Sequence, residues 1–414
     1  MLLEARLTHF LQQRQSQEIP LRLQLWNGQE VVLGPEPRVT LRLSSPAAIP
    51  ALVAPSLNRL AEAYFDGLIE IDGRLGDVIH VADQLTFHGR HRHGRLPMWR
   101  HLRHTRRADA RAIGYHYDVS NDFYGLWLDR QLVYSCAYFR TGEEDIDTAQ
   151  EQKLEHICRK LMLRPGDRLL DIGCGWGALA IWAARHYGAQ VTGSTLSRNQ
   201  HDYARARVDD EGLAGRVDIR LQDYRDVPGH EVFDRIASIG MFEHVGLAKL
   251  PAYFSVIQRL LRPGGWVLNH GITSSDPDSR ELSSGAGEFI RRHVFPDGEL
   301  PHLSLAIREI SRQGLEVTDV ESLRPHYAQT LWHWASRLEA HQARAEAQAG
   351  TKRYRIWRLY LAGCAWAFDH GWINIHQILA QKPPEGGQSV APWTREHIYD
   401  PAATTAPARV KATT

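Results

Sequence analysis

The segment that most restricts this chain is Asp171-Ile-Gly173-Cys-Gly175-Trp-Gly177, set between the short apolar run 168–171 and a helical pattern over 178–187. Glycines at this spacing let the backbone approach a ligand closely, and the helix that follows offers its unpaired N–H groups. The same alternation continues downstream. Strands are predicted at 190–193, 217–221, 233–239 and, after the Pro263-Gly264-Gly265 turn, at 266–270. A helix passes through Gln200 and Ala206, and another is predicted over 151–163. Strands alternating with helices at this interval argue for an α/β fold around a parallel sheet.

At 414 residues the chain has room for two or three domains. Residues 1–87 read as a small α+β domain. Leu21, Leu23 and Leu25 alternate ahead of an Asn27-Gly28 hairpin signal, and Val39, Leu41 and Leu43 alternate again. An amphipathic helix is predicted over 57–66, with a further strand at Leu68, Ile69 and Ile71. Residues 88–111 form a basic linker. No acid falls between Asp83 and Asp109, while Arg90, Arg92, Arg95, Arg100, Arg103, Arg106 and Arg107 do, beside Trp99. Such a stretch is a solvated linker, a patch for lipid phosphates, or an RNA contact, and arginines alone do not separate these. Residues 112–400 form the α/β domain, and the Ala-, Thr- and Pro-rich residues 401–414 read as a disordered tail.

The formal net charge of +1 supplies no global field for nucleic acid. Cys136, Cys158, Cys174 and Cys364 form no C-x-x-C pair, so neither a zinc site nor a disulfide scaffold is expected, in keeping with a cytoplasmic location. Glu4 and Arg6 fall where a signal peptide needs its apolar core, and the longest apolar run, 359–368, is about half of a membrane span. The expectation is a protein that rests at most on a membrane surface.

The glycine loop alone also fits a dinucleotide fingerprint. Asp171 argues against that, because a carboxylate there repels a pyrophosphate but suits an ammonium group. No acid ends the second strand to hold a ribose; Ser194-Thr195-Leu196 stands there, with Gln200 placed to serve instead. A ligand with an amino-acid end, S-adenosylmethionine, fits these residues, and a methyltransferase follows from it.

Seven ordered segments, the glycine loop among them, narrow the reading. They are 133–139 (VYSCAYF), 171–177 (DIGCGWG), Gly193-x-Thr195-Leu196-Ser197-x-x-Gln200, 238–244 (SIGMFEH), 269–272 (NHGI), 289–296 (FIRRHVFP) and 324–327 (RPHY). Together they resemble the cyclopropane fatty acid synthase family, which includes the mycolic acid cyclopropane synthases. The resemblance runs from about residue 112 to 380, and the module before it is similar to the N-terminal extension of the phospholipid-acting members. It implies a Rossmann-like S-adenosylmethionine-dependent methyltransferase domain with a seven-stranded, mostly parallel sheet. It also implies a bicarbonate ion acting as base, held at the positions of Cys136, Glu243, His270, Tyr327 and, through its backbone, Ile272. Tyr134, Ser135, Gly173, Thr195, Leu196 and Gln200 match cofactor-contacting positions, to which Asp171 and Gly175 of the loop are added. Gln222-Asp223-Tyr224 falls at the adenine, with Tyr224 in place of a tryptophan seen in some relatives. The family's members imply a homodimer that docks on a phospholipid bilayer with unsaturated acyl chains, at the inner face of the membrane.

The implied reaction is methylene transfer across a cis double bond of a phospholipid acyl chain, and its chemistry is consistent with these residues. An alkene is a weak nucleophile, so alignment and exclusion of water must supply most of the rate. The carbocation that follows needs a dry channel, and Tyr138, Phe139 and Phe242 offer aromatic faces for it. Each site residue also has a plain reading. Cys136 alone reads as a buried small hydrophobe, His270 as a hydrogen-bonded strand residue, and Tyr327 as an unremarkable loop residue after Pro325. Trp332, Trp334, Trp357, Trp366 and Trp372 read as helical core. The rival readings are a relative that makes methyl-branched chains, a non-catalytic lipid-binding protein, and a nucleic-acid methyltransferase. The last lacks an N/D-P-P-Y/F motif for a flipped base, so no nucleic-acid partner is expected.

Overall fold

The computed structural model describes residues 2–14, 18–86, 120–280, 299–387 and 391–400. The arginine-rich stretch at 88–111, the tail at 401–414 and the FIRRHVFP segment lie outside the described residues. Two compact units emerge, and they interleave along the chain.

The first unit carries a four-stranded sheet of order β2-β1-β3-β4, formed by β1 (Leu21–Gln24), β2 (Glu30–Val32), β3 (Val39–Leu43) and β4 (Ile69–Asp72). The hairpin at Asn27-Gly28 joins β1 and β2 as an antiparallel pair, whereas β1 and β3 run parallel. Its helices are α1 (Leu2–Arg14), α2 (Ile49–Val53), α3 (Leu57–Phe65) and α4 (Leu75–Thr86). Leu21, Leu23, Val39, Leu41 and Leu43 are buried in the core they share. Residues 331–372 group with this unit. There a long late helix, Thr351–Asp369, packs against α3 and α4. Its Arg358 donates to the Tyr64 hydroxyl at 3.1 Å and to Glu339 at 2.9 Å. Trp334 and Trp357 are buried on helices as expected of core, whereas Trp372 is buried just past the 351–369 helix and Trp332 and Trp366 are only half-buried.

The second unit is α/β. Its strands are β5 (Arg168–Ile172), β6 (Gln190–Thr195), β7 (Val217–Leu221), β8 (Phe233–Ile239), β9 (Leu261–Ser274), β10 (Glu316–Ser322) and β11 (Ile373–Gln381). They form one sheet of order β10-β11-β9-β8-β5-β6-β7, in which only β11 runs against its neighbours. The seven-stranded, mostly parallel sheet is as expected. In β5, Leu169 joins one core cluster while Leu170 and Ile172 join the other. Helices cover both faces of such a strand, which explains why Leu169, Leu170, Asp171 and Ile172 are all buried. Strand order reverses between β5 and β8, and ligands of open α/β sheets bind at that switch point, beyond the carboxyl ends of the strands.

The helices that position the site are α5 (Asn121–Gly125), α6 (Ile146–Lys160), α7 (Ala178–Tyr187), α8 (Arg198–Asp210), α9 (Leu250–Leu260), α10 (Leu303–Arg312) and α11 (Arg324–Ala340). α6 starts five residues before the predicted 151, because Asp145 caps it by accepting from Thr148 N at 2.8 Å. Two local expectations are corrected. Tyr327 stands in the first turn of α11 rather than in a loop, since Pro325 is tolerated there, where no intrahelical N–H is needed. His270 sits within β9 rather than at its end, because β9 continues to Ser274 paired with β11.

Candidate active site

The loop after β5 builds one wall of a cleft at the switch point. Gly173, Gly175 and Gly177 have φ of 77°, 54° and 83°, a region that costs a side-chain-bearing residue about 1–2 kcal/mol. Gly173 N and Cys174 N both donate to Ser194 O at 2.9 Å, tying the loop to the end of β6. Beyond β6, Thr195 Oγ1 donates to Gln200 Oε1 at 2.9 Å, which fixes the Gln200 amide, and Ser197 caps α8.

Opposite this wall runs an irregular segment, Val133 to Phe139, whose backbone polar groups are met by side chains from two helices. Gln150 Nε2 donates to Val133 O (3.2 Å) and Ser135 O (2.9 Å), and Lys153 Nζ donates to Ser135 Oγ (2.9 Å). Asp129 accepts from Val133 N, and Thr330 Oγ1 accepts from Ala137 N at 3.0 Å. His326 Nδ1 accepts from Phe139 N at 3.0 Å. Buried backbone groups need partners, and these side chains hold a segment that no sheet supports. Tyr124, Trp127 and Trp176 pack around the Tyr134 side of it, with ring centroids 5.1–5.7 Å apart.

The cleft encloses about 1430 Å3, its open mouth included, ample for a nucleoside with an amino-acid arm. Tyr134, Ser135, Asp171, Gly173, Gly175, Thr195, Leu196, Gln200, Asp223 and Tyr224 all line it. Burial pushes the Asp171 carboxyl up to about 7, against the pull of Lys153, and its Oδ2 has no hydrogen-bond partner among the described residues. At the other end, Asp223 is gripped by Arg225, with Nε on Oδ1 (2.8 Å) and Nη2 on Oδ2 (2.6 Å). Arg225 also lies over the Tyr224 ring at 5.5 Å.

Cys136, Glu243, His270, Ile272 and Tyr327 do not line this cleft. A relay of hydrogen bonds along the sheet links them instead. Ile272 N donates to Glu243 Oε1 at 2.6 Å, and His270 Nδ1 pairs with Gln377 Nε2 at 3.1 Å. Ile375 stands opposite Ile272 in the β9–β11 ladder, and its carbonyl accepts from Leu323 N. The Leu323 carbonyl in turn receives Cys136 Sγ (3.9 Å) and Tyr327 N (3.0 Å). Cys136 and His270 are fully buried. Burial pushes the Glu243 carboxyl up to about 7, despite the Ile272 hydrogen bond, and holds the His270 imidazole well below its ordinary value. Glu243 Oε2 and His270 Nε2 are buried without a hydrogen-bond partner among the described residues.

Tyr138 is stacked between the His156 and His326 imidazoles, at 4.1 and 4.8 Å between centroids. With both ring faces covered it offers none to a cation, which corrects that expectation; Phe242, fully buried beside Gly271, keeps its place near Glu243. Sequence reasoning missed Lys153, Gln150, Gln377 and Arg225. The signal for the first two is readable in α6. Ala149, Gln150, Lys153, Leu154 and Ile157 share a helix face, so two polar residues sit on its buried stripe.

The family model of mycolic acid cyclopropane synthetase matches residues 104–378. A domain of unknown function matches residues 8–87. A probable fatty acid methyltransferase of Pseudomonas putida is 52% identical over 385 residues, spanning 93% of this chain and 98% of that protein. The cyclopropane-fatty-acyl-phospholipid synthase of Escherichia coli K12 is 38% identical over 276 residues, 67% of this chain and 69% of that protein. Among solved structures, a mycolic acid cyclopropane synthase complexed with SAH and CTAB aligns with a TM-score of 0.63 at 37% identity, covering 66% of this chain and 98% of its own. Fold, motifs and relatives agree: the chain is an enzyme of the S-adenosylmethionine-dependent methyltransferase class and belongs to the mycolic acid cyclopropane synthetase family.

Proposed function

We propose that this protein is a cyclopropane-fatty-acyl-phospholipid synthase, transferring a methylene from S-adenosylmethionine across the cis double bond of a phospholipid acyl chain. The observation that carries this reading is the pairing of two polar sites. One is a cleft with a buried carboxylate oxygen to spare at Asp171; the other is on β9, where His270 Nε2, and Oε2 of the Glu243 that Ile272 N holds, are also without partners among the described residues.

The cleft residues fit S-adenosylmethionine, which supplies the methyl group when bound. Asp171 takes the ammonium, the loop amides the carboxylate, Gln200 the ribose, and Asp223 with Tyr224 the adenine. The second site fits bicarbonate, which supplies a base there. Glu243 and His270 are the residues to hold it, since buried polar atoms without partners such as Glu243 Oε2 and His270 Nε2 cost about 1–3 kcal/mol each unless a ligand satisfies them, and Cys136, the Ile272 backbone and Tyr327 complete the set that the family resemblance implies. Phe242 and the surrounding apolar residues keep water from the cation.

The relatives' names include both ring-forming enzymes and fatty acid methyltransferases, so a methyl-branched product is the second reading. Both share the methyl-transfer step and differ in how the cation is quenched. No helix among the described residues is long and apolar enough to cross a membrane. We assign the chain a peripheral place on the cytoplasmic leaflet, as a homodimer, with the Arg90–Arg107 stretch at anionic headgroups. Mass spectrometry of acyl chains after incubation with methyl-labelled S-adenosylmethionine and unsaturated phospholipid vesicles tests the reaction. A ring-containing product supports it, and unlabelled lipid refutes it.

A further inference from the structure

One buried cation in the cleft is not accounted for by the roles assigned above. Lys153 is 2% exposed, lines the cleft with Asp171 and Ser135, and projects from α6. An ammonium this deep costs several kcal/mol unless its charge is answered. The charged and titratable groups that face it are Asp129, Cys136 and Asp171, and its own charge is felt at His270. Asp129 is already engaged, its oxygens accepting from Gln131 N and Val133 N, both at 2.8 Å, with Asp147 behind it. Cys136 is a thiol that burial keeps protonated. Asp129 and then Asp171, whose further neighbours Cys158 and Cys174 are likewise buried thiols, both answer the charge, and of the two Asp171 keeps a buried oxygen, Oδ2, without a hydrogen-bond partner among the described residues.

The Lys153 contact with Ser135 has a second consequence. An ammonium has donors only, so Ser135 Oγ must accept at 2.9 Å, and its own hydrogen is directed elsewhere. We propose that Lys153 is a positioning residue that gives this end of the cleft its polarity for a zwitterionic amino-acid group, by keeping Asp171 an acceptor and turning Ser135 into a donor. Asp171 then meets an ammonium and Ser135 a carboxylate. The inference rests on the reading of the cleft as an S-adenosylmethionine site. Burial pushes Lys153 down to about 8, so it remains largely charged at neutral pH.

The test is calorimetric titration of the full-length protein with S-adenosylhomocysteine and with methylthioadenosine, which keeps the adenosine but lacks the amino acid. Lys153→Met should weaken S-adenosylhomocysteine by about tenfold or more and leave methylthioadenosine within about twofold. It should also raise the pH midpoint below which S-adenosylhomocysteine affinity is lost by about 1–3 units. A merely structural lysine would weaken both ligands alike and leave the midpoint unmoved, and either outcome overturns the proposal. Wild-type protein that fails to bind S-adenosylhomocysteine overturns the reading of the cleft and the inference with it. A melting curve checks that the variant folds. If it does not, Ser135→Ala isolates the second contact, with an expected loss of about two- to tenfold for S-adenosylhomocysteine alone; unchanged affinity overturns the proposal.

Discussion

Gly271 has ordinary backbone angles, yet a side chain there has nowhere to go. An added Cβ would lie 2.1 and 2.2 Å from Phe242 Cε1 and Cδ1, and 3.0 Å from Glu243 Oε1. Contacts to the ring are more than 1 Å too short, and Phe242 is fully buried, so the ring cannot swing clear without moving the turn that carries it. Overpacking of this kind costs about 1–3 kcal/mol. For a domain of this size that lowers Tm by roughly 2–4 °C per kcal/mol. The same shift pulls Glu243 from its 2.6 Å bond to Ile272 N. Gly271→Ala should therefore melt several degrees lower, weaken S-adenosylhomocysteine binding only modestly, because Met241 and His244 of the displaced turn line the cleft while the assigned cofactor contacts lie on other segments, and lose methyl transfer far beyond what its residual fold explains. Differential scanning fluorimetry, calorimetry and labelled-methyl incorporation measure the three in turn. A variant with unchanged melting and activity would refute the packing argument, and one that lost binding and activity together would refute the separation of the two sites.

The other expectations concern charge. The folded state holds the Glu243 proton more tightly than the unfolded chain, so its contribution to stability is complete below pH ~4 and lost as pH rises through about 7. Glu243→Gln should accordingly melt higher than wild type at pH 8, by about 1–3 kcal/mol of stability, with the gap closing at pH 5, while methyl transfer collapses; a lower melting point at pH 8 would contradict this. Burial alone would raise Glu321, but His156 (2.8 Å) and Lys160 (2.5 Å) hold it at about 2. Its stabilisation is present above the unfolded value near pH 4 and lost as pH falls toward 2. Glu321→Gln leaves Lys160, 1% exposed, without its partner, and should cost about 3–5 kcal/mol at pH 7 in denaturant titration; a loss under 1 kcal/mol would show that the charge finds another partner. Replacing the seven arginines between Arg90 and Arg107 with glutamine should reduce sedimentation with anionic vesicles, most at low salt; unchanged sedimentation would remove that stretch from membrane docking.

What is legible in the sequence divides from what is not along physical lines. β5 to β8 read clearly because short strand patterns recur at the strand–helix interval of an α/β fold, and the helix over 178–187 has the bounds predicted. β9 is longer than the sequence suggests. Arg262-Pro-Gly-Gly looks like a turn, yet Leu261 pairs with Phe233 and Trp266 with Arg235 of β8 on either side of an irregularity, so the strand runs through it. β10 escapes sequence reading: Glu316–Ser322 carries only two apolar residues, both valines, among polar ones at the sheet edge, so no burial pattern announces it. The packing of the 351–369 helix on α3 and α4 joins segments some 290 residues apart and leaves no local trace. The cleft is legible because glycines and Asp171 do unusual things in a strand–turn–helix. Lys153 and Gln150 are legible only once the apolar stripe of α6 is drawn, as two polar residues on its buried face. Gln377 is hidden: only the register of β11 against β9 brings it to His270.

The most direct measurement is incubation of the purified protein with methyl-labelled S-adenosylmethionine and vesicles of cis-unsaturated phospholipid, followed by mass spectrometry of the released acyl chains. The expected product is a labelled chain one methylene heavier that resists hydrogenation and contains a ring. A labelled but acyclic branched chain would contradict ring closure at the Glu243–His270 site, and the absence of label in lipid, with S-adenosylmethionine bound, would contradict the proposed reaction itself.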